Sequence, residues 1–144
     1  MSRAVVLVLG RPSPDPADVA ESVASLEAAG ASVVVLTHDP LELDHAPVHV
    51  LGDRPQQRSS APRPVRLARL ALRIALRRTA AATLARAAQR DPAARDALDS
   101  AAVVVAGDAA AIETVWRAAR RLPASTPAVT GVPAALRALR DLPA

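Results

Sequence analysis

Three histidines and two aspartates crowd residues 38–49, as His38, Asp39, Asp44, His45 and His49, the one stretch where this chain gathers metal-ligating side chains. Zinc needs three or four converging ligands, and Pro47 denies His45 and His49 a shared helical face, so the spacing builds no metal site. His38 alone, at the end of an apolar run, has the chemistry of a general base. A second set is dispersed: Gly10, Arg11, Ser13, Gly107, Asp108, Thr130 and Gly131 each stand at or just beyond the end of an apolar run. Their chemistry is that of binding. Glycine lets a ligand approach backbone closely, although it also permits a tight strand-to-helix turn, and a carboxylate placed like Asp108 caps the helix that follows.

Several reaction classes drop out at once. With no cysteine there is no thiolate nucleophile or ligand, and with no lysine the phosphate-cradling G-x-x-x-x-G-K-[ST] loop cannot be written. Gly10-Arg11-Pro12-Ser13-Pro14-Asp15 holds one glycine where a dinucleotide site needs three, and no G-x-S-x-G surrounds any serine. A phosphoacceptor receiver domain would have an acidic pair after the first strand and a lysine after the fifth, and both are missing. No cofactor or metal is expected.

The elements that must position these residues follow from periodicity. Ala4–Leu9, Ser32–Thr37 and Ala102–Ala106 are continuous apolar runs, the pattern of strands buried on both faces, while Val48–Leu51 and 127–131 are shorter strands. His49 interrupts the third strand and places it at an edge. Asp15-Pro16 opens a helix that Gly30 closes, Asp91-Pro92 opens a short one ending near Leu98, Asp108 opens one reaching Leu122, and Pro133 starts the last. Strand and helix alternate, so the expected fold is α/β: a single three-layer Rossmann-like domain over 1–144, about five parallel strands ordered 3-2-1-4-5 with helices on both faces. Ligands of such sheets bind beyond the strand carboxyl ends where the order reverses, here between strands 1 and 4. The second set of residues, with His38 alongside, is therefore the candidate ligand-binding set.

Charge adds a separate feature. The first 53 residues hold two arginines against eight acids, whereas residues 54–90 hold ten arginines and no acid. Residues 52–64, rich in Pro, Ser and Gln, read as the mobile loop, and 65–90 as an arginine-rich amphipathic helix. Arg66, Arg69, Arg73 and Arg77 share one narrow arc, and the apolar remainder is wider than one core-facing stripe needs. Three roles compete for it: a helix that covers the sheet with its arginines solvated, a contact to an anionic membrane surface or partner, and nucleic-acid binding. The last is the weakest, because the only aromatic residue, Trp116, lies on another helix and bases would have nothing to stack on. No apolar run approaches the roughly 18 residues of a membrane span, so no spanning helix is expected, and the expected location is the cytoplasm or the periphery of the membrane inner face.

The run ending Leu9-Gly10, the helix closing Ala29-Gly30, Val33-Val34-Val35-Leu36-Thr37, the proline-broken loop into an arginine-leucine helix, and Ala101 to Ala111 together resemble the N-terminal, acceptor-side half of GT-B glycosyltransferases of the family 4 type. The resemblance is one of pattern over nearly the whole chain. It departs at Arg11-Pro12-Ser13-Pro14, where the family is richer in glycine, and at Gly107-Asp108, where the family often has histidine. It implies an acceptor-binding domain without the donor half, noncatalytic alone or acting with a donor-domain partner, and a membrane contact through Arg66, Arg69, Arg73 and Arg77. Two rivals stay open, a small-ligand or nucleotide-binding regulatory domain and a structural homo-oligomer that buries the wide apolar flank.

Overall fold

The computed structural model describes residues 2–52, 65, 67–68 and 80–143. In chain order its elements are β1 (Arg3–Val8), α1 (Pro16–Ala28), β2 (Ala31–Thr37), β3 (Val48–Val50), α2 (Ala80–Arg90), α3 (Pro92–Asp99), β4 (Val103–Ala106), a 3-10 turn (Ala109–Ala111), α4 (Ile112–Ala119), β5 (Ala128–Thr130) and α5 (Val132–Asp141). The strands form one sheet, β3-β2-β1-β4-β5, every pair parallel. This is the Rossmann-like α/β arrangement and order that the alternation of apolar runs and helices implies.

The period of two along each strand divides the core. Val5, Leu7 and Leu9 pack with Val33, Val35, Val103 and Val105 against Val19, Val23 and Leu26 of α1 and Ala135 and Leu139 of α5. The alternate residues, Val6, Val8, Leu36, Val104 and Ala106, pack against Leu84 and Ala88 of α2, Leu98 of α3, and Val115 and Ala118 of α4. Because both faces are covered, β4 and the stretch of β1 after Arg3 need apolar residues at every position, and all four residues of β4 are buried. β3 is the edge, three residues long and only partly buried.

The helix ends match their local chemistry. Asp15 Oδ1 accepts from the Ala17 N–H at 2.9 Å, which caps α1, and Gly30 follows its end at φ 83, where a side chain would be strained. The helix after Asp108 differs from the expected single run to Leu122: it opens as the 3-10 turn and its α-helical part stops at Ala119. Pro123 drives Leu122, the residue before it, out of helical conformation, so the helix cannot pass that point.

β1 begins one residue earlier than its apolar run, and Arg3 explains why. Its guanidinium donates to the carbonyls of Leu139, Leu142 and Pro143, the last at 3.1 Å, so the start of β1 is tied to the C-terminal end of α5. A cation at that end also meets the negative pole of the helix. Arg3→Met keeps the apolar stem and removes the donors. We expect it to lower unfolding free energy by about 1–2 kcal/mol, as charge-assisted bonds at a half-exposed site do, measured by urea denaturation with an unchanged m-value.

Candidate functional site

At the topological switch point a crevice of about 140 Å3 opens by the carboxyl ends of β1 and β4. Leu7, Leu9, Val19 and Val132 form its apolar floor and walls, while Arg11, Asp15, Asp18, Ser22, Gly107 and Asp108 supply its polar rim. The position follows from the fold: β1 and β4 lie side by side, but their following helices leave to opposite faces of the sheet.

Asp108 dominates the geometry. Its Oδ2 accepts from the Gly10 and Arg11 N–H groups, each at 2.9 Å, and its Oδ1 accepts from the Ala111 N–H at 2.9 Å. One carboxylate thus caps the turn into α4 and binds the end of β1. Ser13, farther along the same loop, donates its N–H to Asp39 Oδ2 at 2.5 Å, and Asp39 is 5% exposed. Ser13 has φ 49, the one non-glycine residue with positive φ among those described, and the buried carboxylate holds it there. Pro12 and Pro14 have no N–H to offer. Of the four N–H groups in Gly10–Asp15, those of Gly10, Arg11 and Ser13 are therefore already bonded to carboxylates of this chain.

Anion sites in α/β proteins are built from just such loop and helix-terminal amides. Here an internal anion occupies them. Among the described residues, Asp15, Asp18 and Asp108 stand on the rim against Arg11, a balance that disfavours an anion.

The two central glycines serve internal packing. A Cβ on Gly10 would lie 2.6 Å from the Ala110 carbonyl carbon, and one on Gly107 would lie 2.6 Å from Leu9 Cδ2. The space that a ligand might have claimed at those positions is filled from within. Gly131 donates its N–H to the Ala106 carbonyl at 2.9 Å and joins β5 to β4. Thr130, at the end of β5, does not line the crevice, and neither does His38. His38 Nδ1 lies 3.3 Å from the Leu51 carbonyl, and its Nε2 is buried without a hydrogen-bond partner among the described residues. The structure thus brings Arg11, Gly107 and Asp108 to the crevice, ties Gly10 to it only through Asp108, holds Ser13 on Asp39, and leaves His38, Thr130 and Gly131 outside. Asp18 and Ser22, one turn apart on α1, were not apparent as candidates from sequence. Their signal is positional: the first turns of a helix that follows a strand must face the crevice at that strand's end.

His49 reaches across from β3 to Asp91, with Nε2 2.9 Å from Oδ2, and Asp91 Oδ1 accepts from the Ala94 N–H at the start of α3. Among the described residues no three His, Asp or Glu side chains converge as a metal site would need. The histidine that breaks the edge strand's apolar pattern is a clasp between β3 and the α2–α3 junction. The hydrogen bond from His49, then that from the Ala94 N–H, hold the Asp91 carboxyl below the usual carboxylate value. A depressed folded-state value means the contribution is present above the unfolded carboxylate pKa, near 3.9, and is lost as pH falls through the lower folded value. We expect carboxyl 13C NMR to show Asp91 titrating below 3.9, and His49→Gln to move that midpoint upward.

Arg66, Arg69, Arg73 and Arg77, and residues 53–64 of the loop, lie outside the described residues. Of the arginine-rich segment, residues 65 and 67–68 are helical with Val65 and Leu67 exposed, and α2 is helical and buries Leu84, Ala85 and Ala88. Among the described residues no helix is long and apolar enough to cross a membrane. No protein-family model, curated protein or solved structure matches the chain.

Proposed function

We propose that this Rossmann-like chain is an acceptor-binding domain of the glycosyltransferase kind, whose crevice between β1 and β4 receives an uncharged, hydroxyl-bearing group. The observation that carries this reading is the bonding of Asp108 to the Gly10, Arg11 and Ala111 amides, which leaves the crevice without its anion donors. A sugar-nucleotide donor has a diphosphate that must be met by amides, cations or metal, so in this reading it binds on a separate donor domain. Catalysis then needs that partner, and the chain alone transfers no sugar.

The crevice volume fits the role. At about 140 Å3 it is smaller than the roughly 300–1,000 Å3 of a typical whole-ligand pocket, so it holds the reacting end of an acceptor and leaves the remainder outside. Asp18 and Ser22 would meet hydroxyl groups, and Leu9, Val19 and Val132 would meet the carbon skeleton.

The test is a titration of 15N-labelled protein with a small uncharged glycoside and, separately, with a nucleoside diphosphate. The glycoside should give saturable shifts at Leu9, Asp18, Ser22 and Val132 while the nucleotide gives none. Saturable nucleotide shifts at the crevice would instead support a nucleotide-binding regulatory domain, and silence toward both would remove the acceptor reading.

A further inference from the structure

The chain's only aromatic residue is not in its core. Trp116 on α4 is 56% exposed, and Ile112, one turn before it, is 44% exposed, while Thr114, Val115 and Ala118 bury the opposite side of the helix. A tryptophan contributes most when desolvated, so an exposed one beside an exposed isoleucine is an apolar stripe without a partner among the described residues. Arg120 continues the stripe and holds its guanidinium 5.0 Å from the Trp116 ring centroid, a cation–π contact that fixes positive charge at the level of the ring. The one acid on this side of α4, Glu113, is neutralised by Arg117 at 2.6 Å.

We infer that the Ile112–Trp116–Arg120 face docks on an anionic lipid surface. Its shape is open: Gln89, Trp116, Arg117 and Arg120 border a broad, shallow depression of about 410 Å3. Its charge suits an anionic plane. Gln89 belongs to α2, which carries Arg86 and Arg90 and no acid, and α2 packs beside α4 on the same face of the sheet. The opposite face is covered by α1, with Asp18, Glu21 and Glu27 and no basic residue, and by α5, where Arg137 and Arg140 stand against Asp141, so the acids still outnumber the bases there. The described helices are therefore polarised across the sheet, and a negative surface attracts the α4 side first. Trp and Arg at one level match the interfacial zone of a bilayer, where an indole sits among headgroups and guanidinium meets phosphate. This inference does not depend on the crevice reading, and a crevice that binds nothing leaves it intact.

Because Trp116 is the only aromatic residue, tryptophan emission reports this face alone. The protein is mixed with vesicles of phosphatidylcholine containing phosphatidylglycerol, with phosphatidylcholine vesicles, and with poly-glutamate, at low salt. The anionic vesicles should blue-shift the emission, and brominated acyl chains should quench it. Pure phosphatidylcholine vesicles and poly-glutamate should do neither, and raised salt should reverse the effect. Arg120→Glu should weaken partitioning on the order of twentyfold, since one charge is removed and its opposite added, while circular dichroism stays unchanged. Co-flotation with unshifted emission would place the membrane contact elsewhere and overturn the inference. So would absence of flotation, wild-type partitioning by Arg120→Glu, or an emission shift with poly-glutamate alone, the last pointing to an acidic protein partner.

Discussion

Replacing Asp108 with asparagine should cost about 2 kcal/mol of stability and replacing it with alanine about 3–4 kcal/mol, effects far larger than helix capping alone would give. Asn and Asp are equally good caps, so a residue that only capped the turn into α4 would tolerate Asp108→Asn almost silently. Asp108 does more, since its two oxygens serve three N–H groups on two separate segments. An asparagine has one carbonyl oxygen. Whichever way its amide is turned, the NH2 faces either the Ala111 donor or the Gly10 and Arg11 donors, and one side loses its acceptor. Alanine leaves all three without the carboxylate, and water can replace it only at the more open Arg11 end. Urea denaturation of the two variants measures both costs, and a silent Asp108→Asn would reduce Asp108 to a cap.

Gly10→Ala should destabilise by about 2–4 kcal/mol, although it adds a single methyl group to a loop. The added Cβ meets the Ala110 carbonyl carbon at 2.6 Å and the Ala110 Cβ and Ala111 nitrogen at 2.8 Å. Two of these atoms are backbone in a turn that Asp108 already fixes, so no rotamer change relieves the contact. Either β1 withdraws from the turn or the turn from β1, and both stretch the bonds to Asp108. Gly30→Ala is the control. Its Cβ meets nothing within 4 Å, and only its φ of 83 opposes the change, so we expect about 1 kcal/mol. Gly10→Ala and Asp108→Ala disturb one contact, and the double variant should cost less than the sum.

The strands of this fold were legible because burial on both faces demands apolar residues at consecutive positions, and Val103, Val104 and Val105 have no other use. The capping aspartates were legible too, each standing before a helix with the proline or small residues that begin one. What lies across the chain was not. Asp108 meets Gly10 across 98 positions and Asp39 meets Ser13 across 26, and no local pattern announces either bond. A glycine after a strand carries the same ambiguity: its missing side chain leaves room for a ligand or for the protein itself, and only the positions of Ala110 and Leu9 decide. His49 broke the pattern of its strand for a reason visible only once Asp91 is placed beside it. The Trp116 face shows the converse case, in which a residue that composition assigns to a core lies exposed on a basic surface.

The most direct test of the internal-anion account is a phosphate titration followed at the backbone amides of Gly10, Arg11, Ser13 and Ala111. In the wild-type protein these four resonances should stay still into the millimolar range, because carboxylates of the chain already hold their N–H groups. In Asp108→Ala those of Gly10, Arg11 and Ala111 should begin to move with added phosphate. Saturable phosphate shifts at Gly10 and Arg11 in the wild-type protein would contradict the account and make the crevice an anion site.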